Sequence, residues 1–234
     1  MLEAIKKQIP NLFTLGNITC GVLAIIVSFG HHLEAAAWLM VLATVFDFFD
    51  GFLARLLKVS GELGKQLDSL ADMVTFGVLP SILLFHYVVS TEAVMGWLGN
   101  AFLLVAVFSC YRLAKFNIDT RQSTSFIGVP TPITGLMCAS WAFIQSSHPE
   151  VFNMVFAHTW VFVGYCVVIS LLLVSEIPLP ALKFKGGIDK QQIMLLLFAA
   201  GSIALLQWLA VPVIYCFYVL SSVIINFATS KNQS

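Results

Sequence analysis

Charged residues are scarce in this sequence. Only 10% of its 234 residues are Asp, Glu, Lys or Arg, whereas 59% are hydrophobic. A typical soluble domain carries about 25% charged residues. The chain therefore lacks the polar side chains that would cover a soluble fold, which excludes a soluble globular protein. Its net charge of zero gives no sign of a nucleic-acid partner, and we expect none.

Cysteine motifs, linkers and repeats are also absent from the sequence. The five cysteines stand singly in apolar segments, without a CxxC pair or a Cys/His cluster. We interpret them as small buried hydrophobic residues. No flexible linker divides the chain, and no small-residue cleavage site indicates a removed signal peptide. We therefore predict a single integral-membrane domain over residues 1–234.

Several apolar runs reach the length of a membrane span. A helix needs about 20 predominantly apolar residues to cross a bilayer. We predict an all-α transmembrane bundle of about eight spans, in which Pro212 is almost the only break between the last two. The sixth span could also be divided differently, near Pro178 and Pro180. The predicted spans are 12–30, 35–57, 67–90, 96–117, 129–147, 154–175, 190–209 and 211–228.

The basic residues test this topology. With eight spans, every Lys and Arg falls at a terminus or in an even-numbered connection, and the odd-numbered connections carry His and Glu but no Lys or Arg. Basic residues favour the cytoplasmic side of short loops. We therefore predict that both termini face the cytoplasm and that the chain lies in the cytoplasmic (inner) membrane. The twelve basic residues are Lys6, Lys7, Arg55, Lys58, Lys65, Arg112, Lys115, Arg121, Lys183, Lys185, Lys190 and Lys231.

Four aspartates interrupt the second and third spans. A carboxylate inside a span is costly and usually marks function. Asp47 and Asp50 are three residues apart, and Asp68 and Asp72 are four apart, so each pair shares a helix face. The turn between the spans lets the two faces oppose each other near the cytoplasmic end. Four crowded carboxylates need cations there, and hard divalent ions such as Mg²⁺ or Mn²⁺ suit oxygen ligands. Two such ions are a known way to hold a phosphate during in-line displacement.

Small residues flank these aspartates. Gly51, Ala54 and Gly64 leave room for a bulky ligand, and Arg55 supplies a permanent cation for a phosphate or an aspartate. Small residues at helical spacing also serve close helix packing, and intramembrane carboxylates also bind protons or Na⁺ in transporters. The residues alone therefore leave catalysis, cation or proton transport and a structural role open.

The complete string resembles the signature of the CDP-alcohol phosphotransferase family. It reads Asp47-x-x-Asp50-Gly51-x-x-Ala54-Arg55, then eight residues, then Gly64-x-x-x-Asp68-x-x-x-Asp72, and all eight positions match. The resemblance implies an enzyme that displaces CMP from a CDP-linked donor with an alcohol at two Mn²⁺ or Mg²⁺ ions. Asp47 and Asp68 would bridge both ions, Asp50 and Asp72 would complete one site each, and Asp72 would be the general base.

The same resemblance assigns the donor site and an oligomeric state. Gly51, Ala54, Arg55, Gly61 and Gly64 would lie around the CDP part of the donor. Members of the family are usually homodimers, so we expect a homodimer here.

Two further stretches resemble the phosphatidylserine synthase branch of this family. The run from Ile9 to Asn17 is similar to the branch's first helix, so Asn11 and Thr14 would help to hold the cytidine diphosphate; the alternative is ordinary polarity at a helix end. The segments 111–117 and 126–132 are similar as well. Arg112 and Lys115 would bind donor phosphates or the acceptor carboxylate, or would only anchor the helix at lipid headgroups, and Thr131 would line the acceptor pocket.

This resemblance covers most of the first six spans. We therefore expect a catalytic core over about 12–175 and accessory spans over about 190–228. The expected reaction joins the phosphatidyl group of CDP-diacylglycerol to L-serine, giving phosphatidylserine and CMP. A sibling enzyme using glycerol 3-phosphate or inositol phosphate, an ether-linked archaeal donor, and a cation or proton transporter are the alternatives.

Overall fold

The computed structural model describes residues 2–59, 61–91, 97–119, 126–179 and 190–231, and almost all of these residues are helical. The predicted Arg121, Lys183 and Lys185 lie outside the described residues. The α-helices are α1 Leu2–Phe29, α2 Leu33–Leu57, α3 Glu62–Asp72, α4 Leu79–Thr91, α5 Leu103–Ile118, α6 Thr131–Ser147, α7 Pro149–Phe156, α8 Thr159–Val174, α9 Lys190–Leu206 and α10 Ala210–Lys231. A π-helical segment, Met73–Val78, joins α3 to α4, and short 3₁₀ turns cover Trp97–Phe102 and Gln207–Leu209.

Five helical segments of the described chain are long and apolar enough to cross a bilayer. They are Gln8–Phe29, Leu33–Leu57, Glu62–Thr91, Trp97–Ile118 and Ile193–Asn226. The pair α7 and α8 passes the same test as a sixth segment, although it is bent by 84°. The all-α bundle predicted from the sequence is therefore confirmed.

The last of these segments reverses direction within itself. Gln207 has a left-handed φ of 50°, and the rings of Phe198 and Phe217 stack with centroids 3.9 Å apart. A straight helix would separate two residues 19 positions apart by about 28 Å. The chain between α9 and α10 therefore forms a hairpin, and Trp208 at its turn stacks on Phe143 of α6 at 4.0 Å.

The predicted sixth span, 154–175, is wrong at its beginning. The helix breaks after Phe156, and the straight part, α8, starts only at Thr159. Phe152 and Phe156 turn inward and pack on Tyr87 and Trp141. Burial of these large aromatic rings holds the short helix α7 across the end of the bundle.

The third span, Glu62–Thr91, is the most buried of these segments. Its contacts with neighbouring helices occur at small residues. A Cβ on Gly21 of α1 would lie 2.3 Å from Thr75 Oγ1, one on Gly77 would lie 3.1 Å from the Ser109 Cβ, and one on Gly135 would lie 3.2 Å from the Phe76 ring. Close packing of α1, α5 and α6 thus fixes the π-helical segment that directly follows Asp72.

The loop before α6 is held by a two-residue sheet. β1, Phe126–Ile127, pairs antiparallel with β2, Pro178–Leu179. Gly128 follows β1 with a φ of 75°, and a Cβ there would lie 2.6 Å from the Leu173 carbonyl oxygen. Only glycine suits this conformation and this close approach. The strand pairing, which the sequence did not predict, places Thr131 at the start of α6.

Polar residues gather at the two ends of the bundle as the charge pattern predicted. At the basic end, Lys65 Nζ donates to the Asn117 carbonyl, and Lys115 forms an ion pair with Glu176. At the other end, Ser146 Oγ donates to Glu34 at 2.6 Å. Residues at even-numbered connections therefore contact one another at one end of the bundle, and residues at odd-numbered connections contact one another at the other end.

The cysteines form no cluster in the described chain. All five are free; three are buried, whereas Cys110 and Cys216 are exposed on the surface of the bundle. The prediction of burial is wrong for these two because they lie on outward faces of α5 and α10.

Candidate active site

Three aspartates converge at the basic end of the bundle. One carboxylate oxygen from each of Asp47, Asp50 and Asp68 lies within 4.8 Å of the others. Asp47 and Asp50 come from the C-terminal half of α2, and Asp68 comes from α3 after the chain reverses. The predicted opposition of the two helix faces is confirmed for these three residues.

Asp72 lies one turn beyond Asp68 and joins the cluster through Asp47. The Asp47 carboxyl is within hydrogen-bonding range of the carboxyls of both Asp68 and Asp72. Asp72 is not one of the three whose oxygens share the 4.8 Å sphere. It is buried, with 8% of its surface exposed. The four carboxylates thus form one connected group in which Asp72 occupies the inner end.

No basic side chain forms an ion pair with this group in the described part of the chain. No Lys or Arg nitrogen there lies within 4.0 Å of any of the four carboxylates, since the ion pair found is Lys115–Glu176. Crowded carboxylates without a basic partner repel one another strongly in a medium of low dielectric constant. A set made only of carboxylate oxygens fits Mg²⁺ or Mn²⁺, and the residues present therefore suit the expected metal ions.

Polar side chains of α1 support two of the carboxylates. Thr14 Oγ1 donates to Asp50 Oδ2 at 2.7 Å, and Asn17 Nδ2 donates to Asp72 Oδ1 at 3.4 Å. Both donors are buried, and their spacing of three residues places them on one face of α1. Hydrogen bonds of this kind orient metal-binding carboxylates. Asn17 lies outside the set of site residues predicted from the sequence, although its spacing from Asn11 and Thr14 was a usable signal.

An open cavity of about 480 Å³ adjoins the cluster. This volume lies in the range of small-molecule sites. Its walls contain all seven residues predicted to bind the donor: Asn11, Thr14, Gly51, Ala54, Arg55, Gly61 and Gly64. Asp50 and Asp68 form its inner wall, and the sequence prediction missed Pro10, Val59, Glu62 and Lys65, which also line it.

The glycines keep this cavity open. A Cβ on Gly51 would lie 3.3 Å from Arg55 Nη1, so the guanidinium rests over this glycine. A Cβ on Gly64 would lie 3.4 Å from Asn11 Oδ1, whereas one on Gly61 would meet no atom within 4 Å. Side chains at these positions would therefore fill the cavity itself, as the sequence predicted for Gly51 and Gly64.

Arg112, Lys115 and Thr131 lie outside this cavity. Arg112 is buried, its charge interacts with that of Asp72, and its Nη1 makes a long contact of 3.5 Å with Thr131 Oγ1. Lys115 instead turns to Glu176. The structure thus gives Arg112 and Lys115, which the sequence analysis considered together, different side-chain partners.

The chain matches a known family over most of its length. Residues 7–170 match the model of the CDP-alcohol phosphatidyltransferase family. The chain belongs to this family. The matched region begins in α1 and ends in α8, so it includes every residue of the carboxylate group and the cavity.

Several relatives carry the same or a closely related name. The chain is 35% identical over 177 residues to the CDP-diacylglycerol–serine O-phosphatidyltransferase of Bacillus subtilis, covering 76% of this chain and 92% of the relative. It is 33% identical over 192 residues to the enzyme of that name from Helicobacter pylori, covering 81% and 78%. It is 30% identical over 182 residues to the archaetidylserine synthase of Methanothermobacter thermautotrophicus, covering 76% and 72%.

Membership of this family agrees with the composition of the helices. Several of them are apolar and long enough to cross a bilayer. The protein is therefore an integral membrane protein, and its acidic group lies within two of the apolar segments.

Proposed function

We propose that this protein is a phosphatidylserine synthase, which transfers the phosphatidyl group of CDP-diacylglycerol to L-serine and releases CMP. One observation carries the transferase activity: a cavity of nucleotide size is bounded by two of four clustered aspartates and by all seven predicted donor-binding residues. The names of the relatives support serine as the acceptor.

The four aspartates would hold two divalent ions, Mg²⁺ or Mn²⁺. Asp47 and Asp68 would serve both ions, while Asp50 and Asp72 would complete one site each. Asp47 supports this division because it clusters with Asp50 and Asp68 and also interacts with Asp72. When bound, these ions supply positive charge that offsets the negative charge of the diphosphate and of the departing CMP.

The donor head would occupy the cavity. Arg55, an exposed cation over Gly51, is placed to contact the diphosphate, and Asn11 at the opposite wall offers hydrogen bonds to the nucleoside. Gly61 and Gly64 leave the space that a planar base requires. The acyl chains would remain in the bilayer.

The acceptor hydroxyl would react beside Asp72. The serine Oγ attacks the phosphorus that carries diacylglycerol, the bond from that phosphorus to CMP breaks, and Asp72 takes the hydroxyl proton. Arg112, which is buried and interacts electrostatically with Asp72, would bind the carboxylate of serine, with Thr131 beside it. Lys115 has a smaller role in this proposal because it forms an ion pair with Glu176.

The topology proposed for this function has eight spans and both termini in the cytoplasm. The hairpin at Gln207 supports two final spans in place of one long segment. The carboxylates lie at the basic end of the bundle. By the positive-inside rule, this end faces the cytoplasm, on the inner side of the inner membrane. CMP would therefore leave into the cytoplasm, and serine would arrive from it.

The domain and oligomer assignments complete the proposal. Spans over about 12–175 would form the catalytic core, and those over about 190–228 would be accessory. A homodimer is the expected assembly.

An acceptor-competition assay tests the proposed function. Purified protein receives CDP-diacylglycerol labelled in the phosphatidyl group, with serine, glycerol 3-phosphate and inositol phosphate together, in parallel with Mn²⁺ and Mg²⁺. The proposal predicts labelled phosphatidylserine as the main product and metal-dependent release of CMP. A different labelled lipid would identify a sibling enzyme, and cation flux without CMP would identify a transporter.

A further inference from the structure

Asn17 places an unpartnered carbonyl oxygen beside the proposed base. The residue is fully buried, and its Nδ2 donates to Asp72 Oδ1 at 3.4 Å. Its Oδ1 has no hydrogen-bond partner among the described residues. An ionised carboxylate only accepts hydrogen bonds, so the amide nitrogen must face Asp72 and the carbonyl oxygen must face elsewhere. Buried polar atoms normally have partners, so this oxygen is available to accept a hydrogen bond from a bound molecule.

Arg112 of α5 interacts electrostatically with the same carboxylate. It is 7% exposed, and its Nε lacks a partner among the described residues. Neither Arg112 nor Asn17 lines the donor cavity. Asp72 therefore interacts with two buried side chains, Asn17 of α1 and Arg112 of α5, and each of them has one polar atom without a partner among the described residues.

These two groups complement the charged ends of an amino acid. A carbonyl oxygen accepts a hydrogen bond from an ammonium, and a guanidinium binds a carboxylate. We propose that Asn17 determines specificity for the acceptor: its Nδ2 positions Asp72, and its Oδ1 accepts a hydrogen bond from the ammonium of the amino acid whose carboxylate Arg112 binds. This assignment rests on the proposed function and adds to it the means of recognising a zwitterion.

The assignment predicts how the protein ranks three small acceptors. L-Serine offers both charged groups, 3-hydroxypropanoate lacks the ammonium, and ethanolamine lacks the carboxylate. Each contact that is lost leaves a buried polar group of the protein unpaired, so the wild-type kcat/KM should fall about tenfold to a hundredfold for each incomplete acceptor.

Variants then separate the two contacts. In Asn17→Ala, the preference for serine over 3-hydroxypropanoate should shrink by about tenfold or more, while the preference over ethanolamine persists. Arg112→Gln should show the opposite pattern. Ser170→Ala is the control. It removes a buried hydroxyl of α8 that also lacks a partner among the described residues, and it should leave both ratios unchanged. If Asn17→Ala lowers kcat/KM for all three acceptors by one common factor, Asn17 only supports the fold and the assignment is overturned.

A measurement on the wild-type protein tests the assignment without any variant, and so it holds even where the variants lose all activity. L-Alanine retains the ammonium and the carboxylate, so it should compete with serine at least tenfold more strongly than propanoate does. Equal inhibition by the two would overturn the role of Asn17. A wild-type protein that releases CMP with another alcohol and not with serine would instead reject the proposed function, so the two failures are distinguishable.

Discussion

Among the single residues of the site, Asp72 has surroundings unlike those of the other three aspartates. Asp47, Asp50 and Asp68 converge within one small sphere, whereas Asp72 contacts Asp47, accepts a hydrogen bond from Asn17 and lies near Arg112. Like Asp47, and unlike Asp50 and Asp68, it does not line the donor cavity. This position suits a group that acts on the acceptor.

Asp72→Asn tests that role. The amide keeps the size of the side chain but takes up no proton, so kcat for CMP release should fall by about 100- to 10,000-fold. Binding of CDP-diacylglycerol should persist, because the cavity is formed by other residues. The matched control is Glu34→Gln, which removes a carboxylate in the first turn of α2, at the other end of the bundle. A near-wild-type kcat in Asp72→Asn would reject the base assignment.

Thr14 offers a second test at this scale. Its hydroxyl donates to Asp50 at 2.7 Å, and loss of such an orienting bond typically weakens metal affinity about 10- to 100-fold. Thr14→Val should therefore raise the Mn²⁺ concentration needed for half-maximal activity, and Thr14→Ser should restore it. Thr19→Val is the control, because Thr19 is exposed and bonds only its own helix. An unchanged metal requirement in Thr14→Val would contradict the role of this bond.

The sequence predicted individual site residues where a motif fixed their spacing. The aspartates, Gly51, Ala54, Arg55 and Gly64 follow from one string, Asn11 and Thr14 follow from the run between Ile9 and Asn17, and Gly61 follows from the family resemblance. All seven predicted donor-binding residues line the cavity. Lys65 and Glu62, in the first turn of α3, were missed because nothing in the local sequence distinguishes a charged side chain that lines a cavity from one in solvent. Arg112 and Lys115 were considered together because of their spacing, but Lys115 forms an ion pair with Glu176, which lies 61 residues further along the chain.

At the scale of helices, the contact between α1 and the π-helical segment sets the position of Asp72. Gly21 approaches Thr75 so closely that a Cβ would lie 2.3 Å from Oγ1 and 3.2 Å from Cα. Thr75 also donates to the Asn17 carbonyl at 3.4 Å. π-Helical turns often occur at functional sites, and this one begins at the residue that follows Asp72.

Gly21→Ala should force these two elements apart. Overpacking of this kind costs about 1–3 kcal/mol, so the thermal stability of the purified protein and its activity should both fall. Thr75→Ala added to Gly21→Ala removes the nearest atom and should restore part of both. Gly164→Ala, with no atom within 4 Å of the added Cβ, is the control. Wild-type stability and activity in Gly21→Ala would show that α1 does not fix the segment.

Hydropathy predicted where helices lie but not how they bend. Each apolar run predicts a helix, because a segment that crosses the bilayer must satisfy its backbone hydrogen bonds internally. The break after Phe156 and the π-helical segment depend on packing between distant residues, such as Phe156 on Trp141 and Gly77 against Ser109. Contacts of that kind leave no periodic pattern in the sequence.

For the whole molecule, the two polar ends of the bundle show which connections between helices lie on the same side of the membrane. Lys65 and Asn117 meet at one end, and Glu34 and Ser146 meet at the other. The basic end carries the carboxylate group. The assignment of this end to the cytoplasmic side rests on the positive-inside rule.

Cysteine labelling tests this orientation. In a background with the five native cysteines replaced, Lys6→Cys should react with a membrane-impermeant maleimide only in inverted vesicles. His32→Cys, exposed in the turn between α1 and α2, should react only in intact spheroplasts. The reverse pattern would invert the proposed topology, and reaction of both from one side would mean that α1 does not cross the membrane.

Direct counting of bound metal addresses the claim on which the molecule's proposed chemistry depends. Mn²⁺ bound to the purified protein is measured by electron paramagnetic resonance titration in the presence of CDP-diacylglycerol, for the wild type and for Asp47→Asn. Because Asp47 connects the other carboxylates, we predict two Mn²⁺ ions per wild-type chain and the loss of both in the variant. A wild-type chain that binds no Mn²⁺, or an Asp47→Asn chain that keeps both ions, would contradict a two-metal site at these aspartates.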